Sequence, residues 1–388
     1  MSQREDRHRR PPGRERVRVL EGHLTASSAS PVGATGGRRL RLRASIEPLA
    51  AGGALYLVRA GADDLVIRDA GPQDRALIDA LAHDALTAGE LAERLGLGTD
   101  AVEEKLDALA AAGVLTAGAS SPPLDAEDAD RFSRQQPYLA EYGDERDLQR
   151  RLAAARIVVV GCGGLGTWAI AALAAAGVRR LRLVDHDAVE LSNLNRQAIY
   201  RPDQVGAAKV KAAAEWLRAF DRRIEVEAQE RRVDGPAVAR RVVEEADAVV
   251  LTADEPAYEL GRWVNAACLD ARVPFITAGQ VPPLLRVGPL YMPGRTACFA
   301  CQETALRARS VAYDRYVDQV RESPSRAATL GPASAIVGSL VALELMHLLI
   351  GVAPATTATA LTIDIRTLQA SRDVVPRDGG CPACSAVR

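Results

Sequence analysis

The chain has 388 residues, more than one ordinary domain, and a globular composition with 48% hydrophobic and 26% charged residues. Lysine and arginine number 49 and aspartate and glutamate 50, so the net charge of −1 gives no general attraction to nucleic acid or to an anionic membrane. Six cysteines are too few for a disulfide-stabilised secreted scaffold of this length. These features exclude wholesale disorder and disfavour nucleic-acid-binding, membrane and small secreted proteins.

Neither the N-terminus nor the longest apolar run predicts secretion or membrane insertion. Residues 1–37 are predicted to be a disordered basic tail, with seven arginines in the first twenty residues and no secretion signal. This tail is either a basic arm for an acidic partner or a solvated segment, and the second is favoured. The apolar run 333–352 contains Glu344 and His347, which favours a buried helix and a cytoplasmic protein.

Residues 38–117 are predicted to form a small winged-helix-like module. Strands are predicted at 55–58 and 65–67, helices at 73–83, 87–96 and 99–112, and a final short strand at 114–115. The third helix carries four acidic residues and one lysine, which would repel phosphate and therefore disfavours DNA binding. We expect the module to bind a peptide instead, with the strand Leu55–Val58 accepting an added peptide strand.

Alternating strands and helices begin near residue 131, after a predicted linker at 118–130 that holds two prolines and four acids. Strands are predicted at 156–160, 180–185, 224–228, 248–252 and 274–278, with helices between them. This alternation is typical of a doubly wound, Rossmann-like α/β domain with a mostly parallel sheet. We expect that domain to span residues 131–388.

A glycine-rich turn follows the first strand of this domain and precedes a helix. Its glycines are Gly161, Gly163, Gly164 and Gly166. They let the backbone approach phosphates, and the helix N-terminus presents unpaired N–H groups to them. Asp185 ends the second strand, where an acidic side chain binds ribose hydroxyls. These features predict a nucleotide site and leave the nucleotide open.

The residues beyond Asp185 favour a triphosphate over a nicotinamide. The polar and charged residues that follow are Asp187, Asn193, Arg196, Gln197 and Lys209. Cations at this place suit the negative charge that moves onto the bridging oxygen when an α-phosphate is attacked. Asp254, which follows the strand at 248–252, is a hard carboxylate and a candidate Mg²⁺ ligand.

In this order the motifs resemble the ubiquitin-activating-enzyme superfamily in its bacterial ThiF/MoeB form. The resemblance is carried by RFSRQ at 131–135, the glycine turn, DxDxVExSNLNRQ at 185–197 and GxxK at 206–209. ADEP at 253–256 and GPLYMPG at 288–294 make it closest to the MccB-like peptide-maturation branch. The resemblance is strong over about two thirds of the chain and weak over the N-terminal module.

The resemblance implies an ATP- and Mg²⁺-dependent adenylyltransferase. Asp185 would hold the ribose, with Asp187 a weaker site residue, and Asp254 would bind Mg²⁺. Asn193, Arg196, Gln197 and Lys209 would surround the triphosphate. Arg134 would reach the γ-phosphate bound by the neighbouring subunit, which implies a homodimer. Because MccB-like proteins carry an N-terminal peptide clamp, residues 38–117 would hold a ribosomal peptide.

Two CxxC pairs predict a structural zinc site. Cys298, Cys301, Cys381 and Cys384 offer four thiolates in a reducing compartment, which leaves no open coordination position for catalysis. A redox-active pair is the alternative, and it is disfavoured because neither pair is predicted to open a helix behind a strand. Cys162 lies in the glycine turn, and Cys268 is expected to be a buried structural thiol.

The leading hypothesis is adenylylation of the C-terminal end of a ribosomally made peptide. The alternatives are an activating enzyme for a ubiquitin-like sulfur carrier ending in Gly-Gly, a non-catalytic leader-peptide-binding scaffold and, least favoured, a NAD oxidoreductase. Residues 302–330 contain no cysteine, which argues against an enzyme-linked thioester. This stretch is expected to be a loop that is either solvated or holds the substrate tail. The motifs do not separate ATP from CTP.

Overall fold

The structure is a computed structural model, and it describes residues 17–20, 37–59, 64–322 and 328–385. The chain divides into two compact units, Met1–Gln149 and Arg150–Arg388. The boundary between them lies inside one helix, α6 (Glu145–Ala154).

The first unit combines two small sheets with three main helices. Its elements are β1 (Val17–Leu20), β2 (Leu40–Leu42), β3 (Ile46–Ala51), β4 (Ala54–Arg59), β5 (Asp64–Ile67), α1 (Pro72–His83), α2 (Ala88–Leu95), α3 (Thr99–Ala111), β6 (Leu115–Ala117), α4 (Ala126–Arg131) and α5 (Gln136–Leu139). The larger sheet has the order β1-β5-β4-β3, and β2 pairs with β6. Fully buried leucines such as Leu57, Leu77 and Leu106 form one core between strands and helices. The three helices lie where the sequence predicted them, and their winged-helix-like identity stays a prediction.

Three predictions for this unit are wrong. The tail is not wholly irregular, because Val17–Leu20 forms β1 and pairs in parallel with β5; residues 1–16 and 21–36 lie outside the described residues. The predicted linker at 118–130 is not wholly irregular, because its last residues belong to α4. This helix begins at Ala126, where the Asp125 side chain accepts a hydrogen bond from the Asp128 N–H. Strand β4 has β3 on one side and β5 on the other, so residues 55–58 offer no free edge to a peptide.

The second unit is built on an eight-stranded sheet. Its remaining elements are β7 (Arg156–Val160), α7 (Gly164–Ala175), β8 (Arg180–Asp185), α8 (Lys209–Phe220), β9 (Glu225–Glu230), α9 (Pro236–Val243), β10 (Ala248–Leu251), α10 (Glu259–Ala271), β11 (Phe275–Val281), β12 (Leu284–Tyr291), α11 (Phe299–Arg309), α12 (Tyr313–Glu322), α13 (Gly331–Ile350), β13 (Thr359–Asp364) and β14 (Gln369–Val374). The strand order is β14-β13-β12-β11-β10-β7-β8-β9. Strands β7 to β11 are parallel, and β12 to β14 extend the sheet in antiparallel fashion. The predicted doubly wound fold is confirmed.

Strand β7 is buried on both faces, as its run of valines and isoleucine requires. Ile157 and Val159 contribute to the core layer that includes side chains of α7, α8 and α13. Val158 and Val160 contribute to the opposite layer, with side chains of α9 and α10. Helices therefore cover both faces of the sheet, and its polar strand ends are left for a ligand.

The chain order of the strands creates a switch point beside β7. Its successor β8 lies on one side and β10 on the other, so the loops after β7 and β10 run in opposite directions around a shared crevice. Val160 is paired with Leu251 at the ends of these two strands. The glycine turn and Asp254 consequently begin from neighbouring points on one sheet edge.

Helix α13 is, within the described chain, the one helix whose length and composition would allow it to cross a membrane. About half of it is buried inside the protein. Its Glu344 is buried and accepts hydrogen bonds from the N–H and hydroxyl of Thr356, both at 2.6 Å. These are the contacts of a core helix in this fold.

The stretch 302–330 is not the loop that the sequence predicted. Helix α11 continues to Arg309, and α12 follows. Glu303 on α11 pairs with Arg262 at 2.9 Å, and Arg307 pairs with Asp314 on α12 at 2.8 Å. Ion pairs and an edge-to-face contact between Tyr258 and Tyr313 hold the described part of this segment, and its predicted role in holding a substrate tail stays a prediction.

Candidate functional site

Two glycines are required by the way the turn after β7 is built. A Cβ on Gly161, whose φ is +100°, would lie 2.5 Å from the Ala253 nitrogen. A Cβ on Gly166 would lie 1.9 Å from the carbonyl oxygen of Gly161. By contrast, the corresponding position on Gly163 meets only Gln197 Nε2, at 4.0 Å, while the position on Gly164 meets side-chain atoms of Ser334 and Arg196 at 3.1–3.5 Å. The turn is thus tight at its two ends and open at Gly163, beside the N-terminus of α7, where an anion binds favourably.

Asp185 fixes this turn from the end of β8. Its carboxylate accepts hydrogen bonds from the N–H of Cys162 at 2.6 Å and from the N–H of Asp187 at 2.8 Å. Each carboxylate oxygen keeps a second lone pair that can accept a hydroxyl hydrogen. Asp185 therefore holds the turn and retains capacity to bind a ribose.

Lys209 is a buried cation beside the turn. It is only 7% exposed, and its Nζ lies 2.7 Å from the Asp187 carboxylate, while its N–H donates to the Asp187 carbonyl at 2.9 Å. Its charge also reaches the turn: burial and Asp185 raise the pKa of the Cys162 thiol, and Lys209 opposes that rise. Asp187 thus positions Lys209 as well as standing near the predicted ribose site.

Arg196 lies over the N-terminus of α7. Its Cδ is 3.4 Å from the position that a Cβ on Gly164 would occupy. Its guanidinium donates to the Ser192 carbonyl at 2.7 Å and to the Asn195 side chain at 3.0 Å. The backbone carbonyl of Arg196 accepts a hydrogen bond from the Trp168 indole at 3.1 Å. The structure therefore brings Arg196 to the glycine turn, and its predicted contact with a triphosphate stays a prediction.

Asn193 and Gln197 are buried on the same loop. The Asn193 side-chain oxygen accepts a hydrogen bond from the Glu190 N–H at 3.0 Å and so stabilises the loop's 3₁₀ turn. Gln197 is 2% exposed, and its Nε2 lies 4.0 Å from the position that a Cβ on Gly163 would occupy. Asn193 shapes the loop, and Gln197 contributes to the wall of the site.

Ser334 and Gln280 extend this wall, and the sequence analysis assigned them no role. Ser334 Oγ lies 3.1 Å from the Cβ position of Gly164 and donates to Gln280 Oε1 at 3.3 Å. Within the described chain, Gln280 Nε2 and Gln197 Oε1 are buried without a hydrogen-bond partner. A buried unpaired polar atom costs about 1–3 kcal/mol, so a polar ligand that pairs with these two amides binds more tightly.

Asp254 completes the switch-point crevice from the loop after β10. The Thr252 hydroxyl in that loop donates to the Gly161 carbonyl at 2.9 Å and ties the loop to the glycine turn. Asp254 itself is exposed, and it makes no hydrogen bond or ion pair within the described residues. Its carboxylate is therefore available to a cation.

Arg134 lies in the other compact unit, in the turn between α4 and α5, and its side chain is exposed. Its predicted action on a neighbouring subunit's γ-phosphate stays a prediction.

The four cysteines of the CxxC pairs form one buried cluster. Their sulfur atoms all lie within 4.8 Å of one another, with Cys298 3.8 Å from both Cys301 and Cys381, and Cys301 3.5 Å from Cys384. A tetrahedron with Zn–S bonds of about 2.3 Å has edges of about 3.8 Å. The arrangement is compatible with a four-thiolate zinc site.

One argument against a redox pair is wrong, because Cys298 is the N-cap residue of α11 and its pair does open a helix. Because the sulfur atoms of both CxxC pairs lie together, a metal site is still favoured over a redox-active pair. Burial raises the pKa of the Cys298 thiol, and burial together with hydrogen bonding to Cys301 raises the pKa of Cys384 to about 11. A divalent cation would release these protons. Cys268 is buried and is not one of the four clustered thiols, and burial raises its pKa, as expected of a structural thiol.

Comparison with known proteins identifies the family. The ThiF family model matches residues 132–383. The chain therefore belongs to the ThiF family, and it is an ATP-dependent adenylyltransferase of the ubiquitin-activating-enzyme-like class.

Two relatives illustrate the range of this family. The SAMP-activating enzyme E1 of Haloferax volcanii is 40% identical over 174 residues, which are 43% of this chain and 62% of that protein. The sulfur carrier protein ThiS adenylyltransferase of Escherichia coli is 31% identical over 244 residues, which are 61% of this chain and 89% of that enzyme.

The fold extends over more of the chain than these sequence matches. The crystal structure of E. coli MccB with succinimide has a TM-score of 0.74 at 22% identity, covering 90% of this chain and 99% of that chain. The E. coli MccB structure with ATP has a TM-score of 0.72 at 23% identity, covering 89% and 99%. The shared fold thus includes most of the first unit.

Proposed function

We propose that this enzyme adenylylates the C-terminal end of a ribosomally made peptide. The observation that carries the proposal is the convergence of the glycine turn, Arg196, Lys209 and Asp254 at the switch point of the sheet. A terminal carboxylate oxygen of the peptide attacks the α-phosphorus of ATP, the bond to the β-phosphate breaks, and pyrophosphate leaves. A terminal amide that attacks through its oxygen would in addition lose one N–H proton to water. A carboxylate nucleophile needs no general base, so positioning and charge stabilisation suffice.

Each site residue then has a role that its surroundings support. Asp185 binds the ribose while it holds the turn, and the N-terminus of α7, open at Gly163, receives the α-phosphate. Arg196 and Lys209 stabilise the charge on the departing pyrophosphate. Asp254, which makes no hydrogen bond or ion pair within the described residues, would hold Mg²⁺, and the ion would supply positive charge to the phosphates.

The peptide reading draws support from the fold of the first unit. The likeness to MccB covers 89% of this chain, and one of the matching structures is E. coli MccB with AMPCPP and MccA. Gln280 and Ser334 suit a polar peptide end next to the α-phosphate, because Gln280 Nε2 has no hydrogen-bond partner among the residues that the structure describes. We assign zinc to the four cysteines as a structural ion. We also propose a reducing, cytoplasmic environment, in which free thiols stay available to a metal.

A sulfur-carrier activating enzyme is the second candidate, favoured by the ThiS adenylyltransferase match over 61% of the chain. The absence of cysteine from residues 302–330 counts against thioester chemistry on the enzyme. The two candidates differ in what receives AMP.

The substrate is tested by offering both classes side by side. We expect AMP to be transferred to a short peptide encoded by a reading frame next to this gene and not to a purified sulfur carrier ending in Gly-Gly. Intact-mass spectrometry of each acceptor after incubation with ATP and Mg²⁺ measures the outcome. Transfer to the carrier alone would establish the second candidate instead.

We further propose a homodimer in which Arg134 acts on the site of the partner subunit. An Arg134→Ala chain and an Asp254→Ala chain should each be inactive, and mixing them should restore activity. In an equal mixture about half of the dimers are mixed, and each mixed dimer has one site with both residues, so ~25% of wild-type turnover is expected. Pyrophosphate release measures the recovery.

Subunit exchange is verified with differently tagged chains that are recovered together. If exchanged mixtures are as inactive as their parents, Arg134 does not act across an interface. Recovery that needs no exchange would likewise contradict the composite site.

A further inference from the structure

Strand β1 comes from the N-terminal segment and occupies one edge of the larger sheet in the first unit. Val17, Arg18, Val19 and Leu20 pair in parallel with Asp64, Leu65, Val66 and Ile67 of β5. The pairing joins positions 47 residues apart in sequence, across a segment that includes the two antiparallel strands β3 and β4. The sheet therefore accepts a separate extended segment at β5.

The opposite edge of this sheet is poorly suited to the same role. It is formed by β3, which contains Pro48. Proline lacks an N–H donor, and natural sheets place it on edge strands where additional pairing is prevented. Strand β5 contains no proline, and Leu65, Val66 and Ile67 are buried. Of the two sides of the β3-β4-β5 meander, the β5 side is thus the one built to add a strand.

Strand β1 pairs with β5 through few hydrogen bonds, but it belongs to the same chain. Four paired residues supply only a short backbone ladder, and each hydrogen bond contributes little net stability in water. The covalent link compensates, because two segments of one chain meet at an effective concentration of up to about millimolar. A free peptide that pairs with β5 must compete with this tethered strand.

We propose that Val17–Leu20 is an intramolecular competitor for a peptide-binding edge at β5. The external ligand is an extended peptide segment rich in β-branched and aliphatic residues, which forms the same backbone ladder when β1 leaves. The identification of that ligand with the substrate peptide rests on the proposed function; the occupancy of the edge by β1 does not.

The test removes the ladder from the tethered strand and leaves the rest of the tail. Alternate N–H groups of a strand point to opposite sides, so one of two neighbouring residues donates towards β5. The double variant Arg18→Pro/Val19→Pro of the full chain therefore loses that donor whichever residue supplies it. Ser27→Pro/Ser28→Pro places the same change in the same tail outside β1 and serves as the control.

The probe is a fluorescein-labelled synthetic peptide with the sequence of residues 13–24, GRERVRVLEGHL. Fluorescence anisotropy should give a Kd at least about tenfold lower for Arg18→Pro/Val19→Pro than for the wild type or the control variant. A second probe, GRERVPPLEGHL, has one positive charge fewer but the same length and should not bind. A chain that begins at Thr25 should bind the first probe as the double variant does.

Equal affinity of the first probe for the wild type and the double variant would overturn the competition. Equal binding of both probes would show that charge, and not strand pairing, attracts them. Neither result depends on adenylyl transfer, so failure here leaves the proposed function standing. Conversely, an enzyme that shows the expected competition but transfers no AMP would contradict the proposed function and leave the competition standing.

Discussion

Replacing Asp254 with alanine should lower adenylyl transfer by at least about 100-fold, because even residues that only support a metal ligand cost 10–100-fold when they are removed. The fold should be unaffected, since Asp254 is exposed and makes no hydrogen bond or ion pair in the described part of the chain. Pyrophosphate release at saturating ATP over a range of Mg²⁺ concentrations measures the loss, and the melting temperature checks the fold.

Asp270→Ala is the matched control. Asp270 is another exposed carboxylate of the same unit, on α10, and it pairs with Arg240 at 3.2 Å. Its removal should leave turnover and Mg²⁺ dependence unchanged. Normal turnover in Asp254→Ala would remove the metal anchor from the proposed mechanism.

Cys381→Ser should release zinc and loosen the C-terminal segment. The buried cluster around the thiols is small: beyond the four cysteines it includes Leu269, Ala297 and Val375. So few apolar groups cannot hold residues 375–385 in place without a metal. We expect zinc to fall from one per chain to almost none and the melting temperature to drop by more than about 5 °C, because ~1 kcal/mol shifts it by 2–4 °C in a unit of this size.

Cys268→Ala is the control for the zinc prediction. It removes a fully buried thiol that lies outside the cluster, so it should cost some stability through the cavity that it leaves but retain the metal. Elemental analysis of protein purified without chelators gives the zinc content of each variant. A wild-type protein without zinc, or Cys381→Ser with a full complement, would contradict the assignment.

The nucleotide site was predictable because its parts follow consecutive strands in sequence. A strand that runs into a glycine turn, and an acid at the end of the next strand, define the crevice of a parallel sheet before any coordinates are known. The position of Asp254 beside this crevice was predictable for the same reason, since β10 ends beside β7. These are local signals that the sheet topology brings together.

Several of the errors and omissions have one physical cause, which is contact between segments that are distant in sequence. Nothing within residues 55–58 indicates that β1 takes the outer side of β5 and β3 the outer side of β4. Ser334 and Gln280 come from α13 and β11, and only the packing of α13 along α7 brings the serine to Gly164. Cys298 was not expected at a helix start because the residues after it, Phe299 and Ala300, carry no helix-start signal.

The account as a whole is tested most directly by following the individual phosphates of ATP. Two reactions of the enzyme with the neighbouring-gene peptide and Mg²⁺ are compared, one with ATP labelled at the α-phosphate and one with ATP labelled at the γ-phosphate. We predict that the α-label appears on the peptide and the γ-label in pyrophosphate. Transfer of the γ-label to the peptide would show that the enzyme is a kinase and would contradict the account. Release of neither label, together with tight binding of NADH, would also contradict it and would favour a NAD oxidoreductase.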